Sequence, residues 1–326
     1  MTHQISIIST LTSEVAREAP DAKEKAVDPV TFDRRVAIVT GAGGALGRTY
    51  ALELARRGAS VVVNDLGAAA DGSGVATGPA DAVVDEIERA GGSAIANYDS
   101  VATAEGGDAI VQAALDAFGG VDIVINNAGT VRDRSFAKLS AEDVRSVVDI
   151  HLLGAFHVSQ PAFRVMKEQG YGRILFTTSG AGLFGNFGQA NYAAAKMGLV
   201  GLSNVLAVEG ERYRITSNVI APVAKSRHTM DILGEDADVF DPQLVTPLAL
   251  VLVSEQNSVT HEVFSVGGGR YARAFVGVTP GWIADRGVRP TLEDVRDHLN
   301  EIRRPTDFIV PSSVADELQF LEKLRS

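Results

Sequence analysis

Short apolar runs alternate along the chain with longer segments in which apolar residues recur at helical spacing. The runs Val36–Thr40 and Ser60–Asn64 are typical of buried strands, and the segment TYALELARRG between them has the period of an amphipathic helix. This alternation of strand and helix predicts an α/β fold with a parallel sheet. The pattern fits one domain, although the length of 326 residues alone would allow two.

The pattern divides the chain into an N-terminal extension (1–32), a main domain (33–272) and a helical C-terminal extension (273–326). The first extension is mixed and polar and is expected to be a tail or a short helix. The second contains two amphipathic stripes, formed by Leu292, Val295, Leu299 and Ile302 and by Val314, Leu318 and Leu321. Thr291 and Asp294 have the spacing of a helix-capping pair. The stripes could pack on the chain's own core, on the substrate cleft or on another subunit, and we expect core packing.

A glycine-rich segment follows the first predicted strand and leads into a helix. Gly41 and Gly47 would let the backbone turn tightly and approach a pyrophosphate, and the start of the helix offers free amide donors. An ordinary flexible loop is the alternative. The order of strand, loop, helix and strand instead predicts a dinucleotide site and a Rossmann-type doubly wound parallel sheet.

The second strand ends in an acidic residue, Asp65. A carboxylate at this position accepts hydrogen bonds from the adenosine ribose and repels a 2′-phosphate. We therefore expect NAD as the cofactor rather than NADP, although Arg48, Arg56 and Arg57 bring positive charge nearby.

Three side chains further along have the spacing of a proton-transfer site. Ser179 precedes Tyr192 by thirteen residues, and Lys196 follows one helical turn later on the same face. The lysine cation and an oxidised nicotinamide would together lower the phenol pKa from about 10 toward neutrality. Tyr192 could then act as general base or acid, with Ser179 orienting the substrate oxygen. The alternative is a surface Tyr and Lys pair beside a loop serine.

Composition limits the partners that the chain could bind. The net charge of -11 disfavours nucleic acid and anionic membranes. Cysteine is absent, which excludes disulfides and thiolate chemistry, and no cluster of His and acidic residues has the spacing of a metal site. No apolar run approaches the length of a membrane span, so no membrane insertion is expected. The sequence lacks the features of a signal peptide and ends in Leu-Arg-Ser, and a cytoplasmic location is expected.

The strings TGAGGALG, NNAG and NYAAAK, with Ser179 upstream of the last, resemble the short-chain dehydrogenase/reductase superfamily across residues 33–272. Longer strings, such as VRDRSFAKLS and GNFGQANYAAAK, are similar to the (3R)-hydroxyacyl-CoA dehydrogenase part of peroxisomal multifunctional enzyme type 2, also called 17β-hydroxysteroid dehydrogenase type 4. The resemblance implies a nicotinamide-dependent oxidoreductase in which Ser179, Tyr192 and Lys196 are catalytic. It also places His151 where many members have an Asn whose main-chain carbonyl carries a proton relay. A core or helix-surface histidine is the alternative for that position.

The resemblance also implies a set of residues that hold the cofactor. They are Gly41, Gly44, Ala45, Leu46, Gly47, Asp65, Asp99, Ser100, Asn126, Ala128, Gly129, Tyr192, Lys196 and Pro222. Ala45 replaces the middle glycine of the family motif, so a methyl group is expected near the pyrophosphate.

The substrate cleft of such a fold lies beyond the carboxyl ends of the strands, so residues 182–189 and 223–241 should form its walls. Apolar candidates for the wall are Phe184, Phe187, Met230, Ile232, Leu233 and Phe240. The substrate-binding residues are predicted to be Phe184, Asn186, Phe187 and Gln189. An acyl chain and a steroid both suit such a wall. A CoA thioester would also need a basic patch, for which the candidates are Arg132, Arg134, Lys138 and Arg227.

Three functions remain open at this point. The first is a dehydrogenase of a (3R)-hydroxyacyl-CoA or a steroid side-chain thioester, and the second is a 17β-hydroxysteroid dehydrogenase acting on free steroids. The third is a catalytically silent NAD sensor, which the presence of all three catalytic residues disfavours. A homodimer or homotetramer is expected, because Ala194, Gly198 and Gly201 would permit close helix contact and relatives pair through this helix.

Overall fold

The computed structural model describes residues 28–68, 74–225 and 239–325. Most of the predicted N-terminal extension lies outside these ranges, as do four cleft candidates, Arg227, Met230, Ile232 and Leu233. From Thr31 onward the chain forms one compact unit, and residues 28–30 belong to a separate one. The division of the chain at residues 32 and 272 stays a prediction.

One sheet of eight strands organises the described residues. The strands are β1 (Val36–Thr40), β2 (Ser60–Asn64), β3 (Ser93–Asn97), β4 (Ile123–Asn126), β5 (Gly172–Thr177), β6 (Ile215–Pro222), β7 (Val263–Gly267) and β8 (Arg270–Ala274). Their order in space is β3-β2-β1-β4-β5-β6-β7-β8, and every pairing is parallel except that of β8 with β7. The predicted α/β fold with a doubly wound parallel sheet is confirmed.

Helices connect the strands across both faces of the sheet. They are α1 (Ala45–Arg56), α2 (Gly78–Arg89), α3 (Ala104–Phe118), α4 (Ala141–Val148), α5 (Gly154–Gln169), α6 (Gly180–Phe184), α7 (Ala190–Gly210), α8 (Thr246–Val253), α9 (Leu292–Asp297), α10 (Leu299–Ile302) and α11 (Val314–Arg325). A π-helical turn, Asp149–Leu153, joins α4 to α5. Because the helices cover the central strands, β1 and β5 are buried along their whole length.

The strand order reverses between β1 and β4, which start opposite halves of the sheet. Right-handed crossovers on either side of this point leave a crevice at the carboxyl ends of the two strands. The loops that follow Thr40 and Asn126 therefore open into one crevice. A ligand site is expected there, at the point to which the glycine loop and the NNAG segment both lead.

The two amphipathic stripes of the C-terminal extension do not pack on the core, so the expectation of core packing is wrong. No residue between 273 and 325 is buried, and Leu292 and Val314 are 86% and 73% exposed. The extension is instead held by local contacts, including the stacked rings of Phe275 and Phe308 and those of Trp282 and His298.

The first helical segment of the extension has the predicted cap but not the predicted length. Thr291 and Asp294 cap α9 reciprocally, which confirms the predicted pair. The single predicted helical stripe from Leu292 to Ile302 breaks at His298, however, where the backbone leaves helical geometry.

Candidate active site

The glycine loop after β1 is shaped by two close approaches of the backbone. Gly41 has a φ of +63°, and a side chain there would place Cβ 2.8 Å from the Cα atom of Ala128. At Gly47 a Cβ would lie 2.2 Å from the main-chain oxygen of Gly41. Both positions therefore require glycine, because no larger residue fits against the neighbouring backbone.

The start of α1 fits the anionic end of a dinucleotide. No side chain caps the helix, and its first turn contains no acidic residue. A Cβ built on Gly44 would meet nothing within 4 Å, so the loop is open on that side. Ala45 occupies the place of the family's middle glycine with a φ of +41°, a conformation that glycine adopts at lower cost. Unused amides and the positive end of the helix dipole give this place an affinity for phosphate.

The carboxylate of Asp65 lies against the glycine loop. Its Oδ2 accepts from the main-chain nitrogen of Gly43, and its Oδ1 accepts from that of Gly67, both at 2.7 Å. These bonds fix the carboxylate at the end of β2, where the sequence predicts a ribose acceptor. Each oxygen keeps a further lone pair for a hydroxyl donor.

The two arginines of α1 and Arg57, which directly follows the helix, are all engaged by acidic side chains. Arg48 forms an ion pair with Glu86 of α2. Arg56 and Arg57 both bind Glu53, at 2.6 Å. The positive charge that could have favoured NADP is therefore matched by nearby negative charge.

Asp99 and Ser100 lie just beyond the end of β3. The Asp99 carboxylate accepts from the Asn97 amide at 2.8 Å, and its main-chain oxygen accepts from Asn64 at 2.9 Å. The Ser100 hydroxyl accepts from the Ala102 nitrogen at 3.2 Å. Both residues are thus held at the carboxyl edge of the sheet, on the side of Asp65.

The two asparagines of the NNAG segment have different positions. The Asn126 amide donates to the Ser159 hydroxyl of α5 at 2.9 Å. This side chain, which was predicted to bind the cofactor, therefore binds a neighbouring helix. Asn127, which we did not predict, donates from Nδ2 to the main-chain oxygens of Thr40 and Gly41, each at 3.2 Å. It therefore holds β4 to the glycine loop. The sequence feature that could have identified Asn127 is its position directly after β4.

The three predicted catalytic residues meet beyond β5. Ser179 caps the N-terminus of α6, where its hydroxyl accepts from the Ala181 nitrogen at 3.2 Å. The same side chain is near enough to Tyr192, the third residue of α7, to lower the pKa of its phenol. Lys196 follows one turn later and is buried. The carboxyl end of β5 and the start of α7 thus bring the trio to one place.

Burial sets the proton affinity of the two titratable members. Desolvation raises the pKa of Tyr192, opposed by the Ser179 hydrogen bond, while the negative charge of Asp133 raises it further. Burial lowers the pKa of Lys196 to about 7. The sequence predicts that Lys196 and a bound oxidised nicotinamide together lower the phenol pKa. In the protein without the nicotinamide, the pKa of Tyr192 is instead raised. Asp133 was not predicted as part of this environment.

His151 lies beside the phenol in the π-helical turn. Its ring meets that of Tyr192 edge to face, with centroids 5.1 Å apart. Its Nε2 lies 3.0 Å and 2.7 Å from the main-chain nitrogen and oxygen of Thr130. A Cβ on Gly129 would come within 2.4 Å of the imidazole, so glycine there makes room for the ring. His151, Lys196 and Asn126 line one small cavity.

Residues 35–232 match the family described as short chain dehydrogenase. This chain is a member of the short-chain dehydrogenase family. It is 49% identical over 276 residues to mouse peroxisomal multifunctional enzyme type 2, covering 84% of this chain and 37% of the mouse protein. It is also 49% identical over 269 residues to a putative short-chain type dehydrogenase/reductase of Mycobacterium tuberculosis, covering 82% of this chain and 93% of the other. The dehydrogenase thus spans little more than a third of the mouse relative.

Solved structures of the family share the fold. A short chain dehydrogenase from Mycobacterium avium aligns with a TM-score of 0.74 at 42% identity, covering 85% of this chain and 98% of that one. A 7α-hydroxysteroid dehydrogenase in complex with NADH and 7-oxo glycochenodeoxycholic acid aligns with a TM-score of 0.66 at 30% identity, covering 73% of this chain and 95% of that one. A nicotinamide cofactor is therefore expected for this dehydrogenase as well.

The predicted substrate side of the dehydrogenase is open. Phe184 and Phe187 are 78% and 90% exposed, so neither is a core residue. The Asn186 amide donates to Gln189 at 2.9 Å, and the Gln189 amide donates to the Asp133 carboxylate at 2.8 Å. The two polar candidates therefore shape the loop that carries the exposed phenylalanines.

The basic candidates divide into two kinds. Arg132 lies 3.7 Å and 3.9 Å from the carboxylates of Glu142 and Asp143, whereas Arg134 and Lys138 are exposed. Among the described residues no group of His, Asp and Glu could hold a metal ion. No helix within the described ranges has the length and apolarity to span a membrane.

Proposed function

We propose that this short-chain dehydrogenase is NAD-dependent and interconverts a secondary alcohol and a ketone on a large apolar substrate. A (3R)-hydroxyacyl-CoA or a steroid side-chain CoA thioester is the substrate class that we place first. The observation that carries the proposal is the convergence of Ser179, Tyr192 and Lys196 beyond β5, where the Lys196 Nζ atom lies 5.6 Å from the centre of the Tyr192 ring. This arrangement suits proton exchange with an alcohol oxygen.

Each residue of the trio has a separate role in the proposed reaction. The Ser179 hydroxyl holds the substrate oxygen. During oxidation the Tyr192 phenolate takes the proton of the alcohol and becomes a phenol, and during reduction the phenol returns that proton. When bound, NAD supplies the hydride acceptor for the substrate carbon. Lys196 holds positive charge beside the phenol in its protonated form. Desolvation strengthens that charge interaction, since screening by water is weak inside the protein.

The proposal of NAD rests on the surroundings of the ribose position. Asp65 offers two carboxylate oxygens, and the arginines of α1 and Arg57 are paired with Glu86 and Glu53. A 2′-phosphate at this place would meet the Asp65 carboxylate, while the three arginines nearby are already held by acidic partners. The uncapped start of α1 and the open side of Gly44 would hold the pyrophosphate.

The substrate proposal has support from the relatives and from the loops. The mouse relative is named a peroxisomal multifunctional enzyme, and a relative 39% identical over 257 residues is named hydroxyacyl-CoA dehydrogenase. The exposed Phe184 and Phe187 supply an apolar surface, and Arg134 and Lys138 supply positive charge for a CoA phosphate. A free steroid is the second candidate, favoured by the bile-acid ligand of the structural relative.

A homodimer or homotetramer is proposed from the exposed side of α7. Met197, Val205 and Val208 are 40%, 53% and 54% exposed, and a Cβ on Gly201 would meet nothing within 4 Å. These positions form an apolar stripe with a glycine near its middle, which suits close helix contact with a second copy. The exposed stripes of the C-terminal extension offer further surface. A cytoplasmic location stays a proposal, and several relatives are named as peroxisomal proteins.

A substrate panel tests the proposal. The purified enzyme is assayed by NADH absorbance with 3-hydroxyacyl-CoA thioesters of both configurations, steroid side-chain thioesters and free steroid alcohols. We expect the highest kcat/KM with a (3R)-hydroxyacyl or steroid side-chain thioester. Preference for a free steroid supports the second candidate. Binding of NAD without turnover of any alcohol or ketone contradicts the proposed enzyme and supports a sensor.

A further inference from the structure

Asn191 immediately precedes the proposed catalytic tyrosine, and its side chain is fully engaged. The residue is 3% exposed. Its Nδ2 donates to the main-chain oxygens of Arg132 and Asp143, at 3.1 Å and 3.2 Å. Its Oδ1 accepts from the main-chain nitrogen of Tyr192 at 2.9 Å. One amide thus joins the start of α7 to the loop after β4 and to α4.

The start of α7 needs such a partner. The first N–H groups of a helix have no acceptor within the helix, and Gln189, at the N-cap, makes no side-chain cap. The Asn191 Oδ1 atom, rather than a Gln189 side-chain cap, accepts the hydrogen bond of the Tyr192 nitrogen. Because both amide hydrogens of Asn191 are fixed by carbonyls of other segments, the oxygen cannot turn away from Tyr192. The backbone that carries the phenol is therefore fixed from outside α7.

Two further hydrogen bonds extend the same connection along the substrate loops. The Arg134 nitrogen donates to the Gly188 oxygen at 2.9 Å, and the Gln189 amide donates to the Asp133 carboxylate at 2.8 Å. Together with Asn191 they form a seam between residues 132–134 and 188–191. Movement of either loop would therefore be transmitted to the start of α7.

We propose that Asn191 is a positioning residue, which sets the place of the Tyr192 hydroxyl by anchoring its backbone to the loop after β4. The inference rests on the proposed role of Tyr192 in proton transfer. Misplacement of a reacting group by about 1 Å can cost on the order of a hundredfold in rate. Loss of the anchor should therefore lower kcat, while leaving the binding of substrate and NAD almost unchanged.

A double-mutant cycle tests this role. Asn191→Leu, which has a similar volume and no polar atoms, is measured alone and combined with Tyr192→Phe. We expect Asn191→Leu to lower kcat by about tenfold to a hundredfold, with KM and the Kd for NAD within about twofold of wild type. In the Tyr192→Phe background the same change should lower kcat by less than about threefold, since no phenol remains to position.

Asn257→Leu is the matched control. The Asn257 amide also donates to two main-chain oxygens, of Leu252 and Val259, and its Oδ1 accepts from the Val259 nitrogen. It lies beyond α8 and is outside the proposed site. This change should lower the melting temperature and leave kcat within about twofold. If the leucine variant does not fold, Asn191→Asp replaces it in the double-mutant cycle. The aspartate keeps an acceptor for the Tyr192 nitrogen but cannot donate to the two main-chain oxygens.

Equal losses from Asn191→Leu in both backgrounds would overturn the inference while leaving the proposed function intact. An unchanged kcat in Asn191→Leu would overturn it as well. Near-normal turnover in Tyr192→Phe alone would instead remove the proposed function, so the two failures are distinct.

Discussion

The Nζ atom of Lys196 lies 5.6 Å from the centre of the Tyr192 ring and donates to the main-chain oxygen of Thr177 at 2.6 Å. The lysine therefore faces the phenol while it is anchored to the end of β5. A second bond, from the Thr178 hydroxyl to the Lys196 oxygen at 2.6 Å, fixes the same turn of α7. Within the described part of the chain no acidic side chain forms an ion pair with this ammonium group, and burial lowers its pKa to about 7.

This buried lysine should make stability depend on pH. The folded pKa is below the unfolded value of about 10.4, so between about pH 7 and 10 the unfolded chain binds a proton that the folded chain does not. Wild type should therefore gain stability relative to Lys196→Met as pH rises through that window. Urea unfolding of both proteins at several pH values measures the difference, with the exposed Lys138→Met as control. A difference that does not change with pH would contradict the burial effect.

Replacement of Asp65 should reduce the ratio of kcat/KM for NAD to kcat/KM for NADP. Asp65→Ser removes the charge that repels a 2′-phosphate and the acceptors for Gly43 and Gly67, so kcat/KM for NAD should fall more than that for NADP. The ratio of the two values is the measurement. Asp108→Ser, at an exposed aspartate of α3, should leave the ratio unchanged. A wild-type enzyme that prefers NADP would show that Asp65 has been misinterpreted.

Glu86 should restrain the use of NADP through its ion pair with Arg48. Glu86→Gln leaves the guanidinium without its acid, so it could bind a 2′-phosphate. Exposed ion pairs contribute up to about 1 kcal/mol, and we expect kcat/KM with NADP to rise by up to about fivefold. The gain should disappear in the Glu86→Gln, Arg48→Gln double variant. No gain in the single variant would place Arg48 outside the ribose site.

The exposed stripe of α7 should form a subunit interface. Val205→Arg puts a charge on that stripe, and light scattering should show a shift toward a particle of 34.3 kDa. Val251→Arg changes a valine of similar exposure, 48% against 53%, on α8, and should leave the oligomer intact. Wild-type protein that is already a single 34.3 kDa particle at micromolar concentration would contradict the interface.

Local patterns were sufficient to predict the fold and the convergence of Ser179, Tyr192 and Lys196. The apolar runs of β1 and β2, the glycines between β1 and α1, and the one-turn spacing of Tyr192 and Lys196 each depend on neighbours in sequence. The location of these three residues could also be predicted, because the carboxyl ends of parallel strands lie at one edge of the sheet.

Features that depend on tertiary surroundings were not predicted. Asn126 binds Ser159 of α5 whereas Asn127 binds the glycine loop, and the NNAG string does not specify this division. The raised pKa of Tyr192 comes from burial and from Asp133, which is distant in sequence. The stripes of the C-terminal extension have the helical period that predicts a buried face, but periodicity does not specify what covers that face.

The catalytic role of Tyr192 is tested most directly by Tyr192→Phe. The change removes one oxygen and keeps the ring against His151, so the proton step should be lost while the fold is retained. On the best substrate of the panel, kcat should fall by at least about a hundredfold, the low end of what a positioned acid or base contributes, and the Kd for NAD should change by less than about twofold. Turnover close to that of wild type would contradict proton transfer by Tyr192 and, with it, the proposed mechanism.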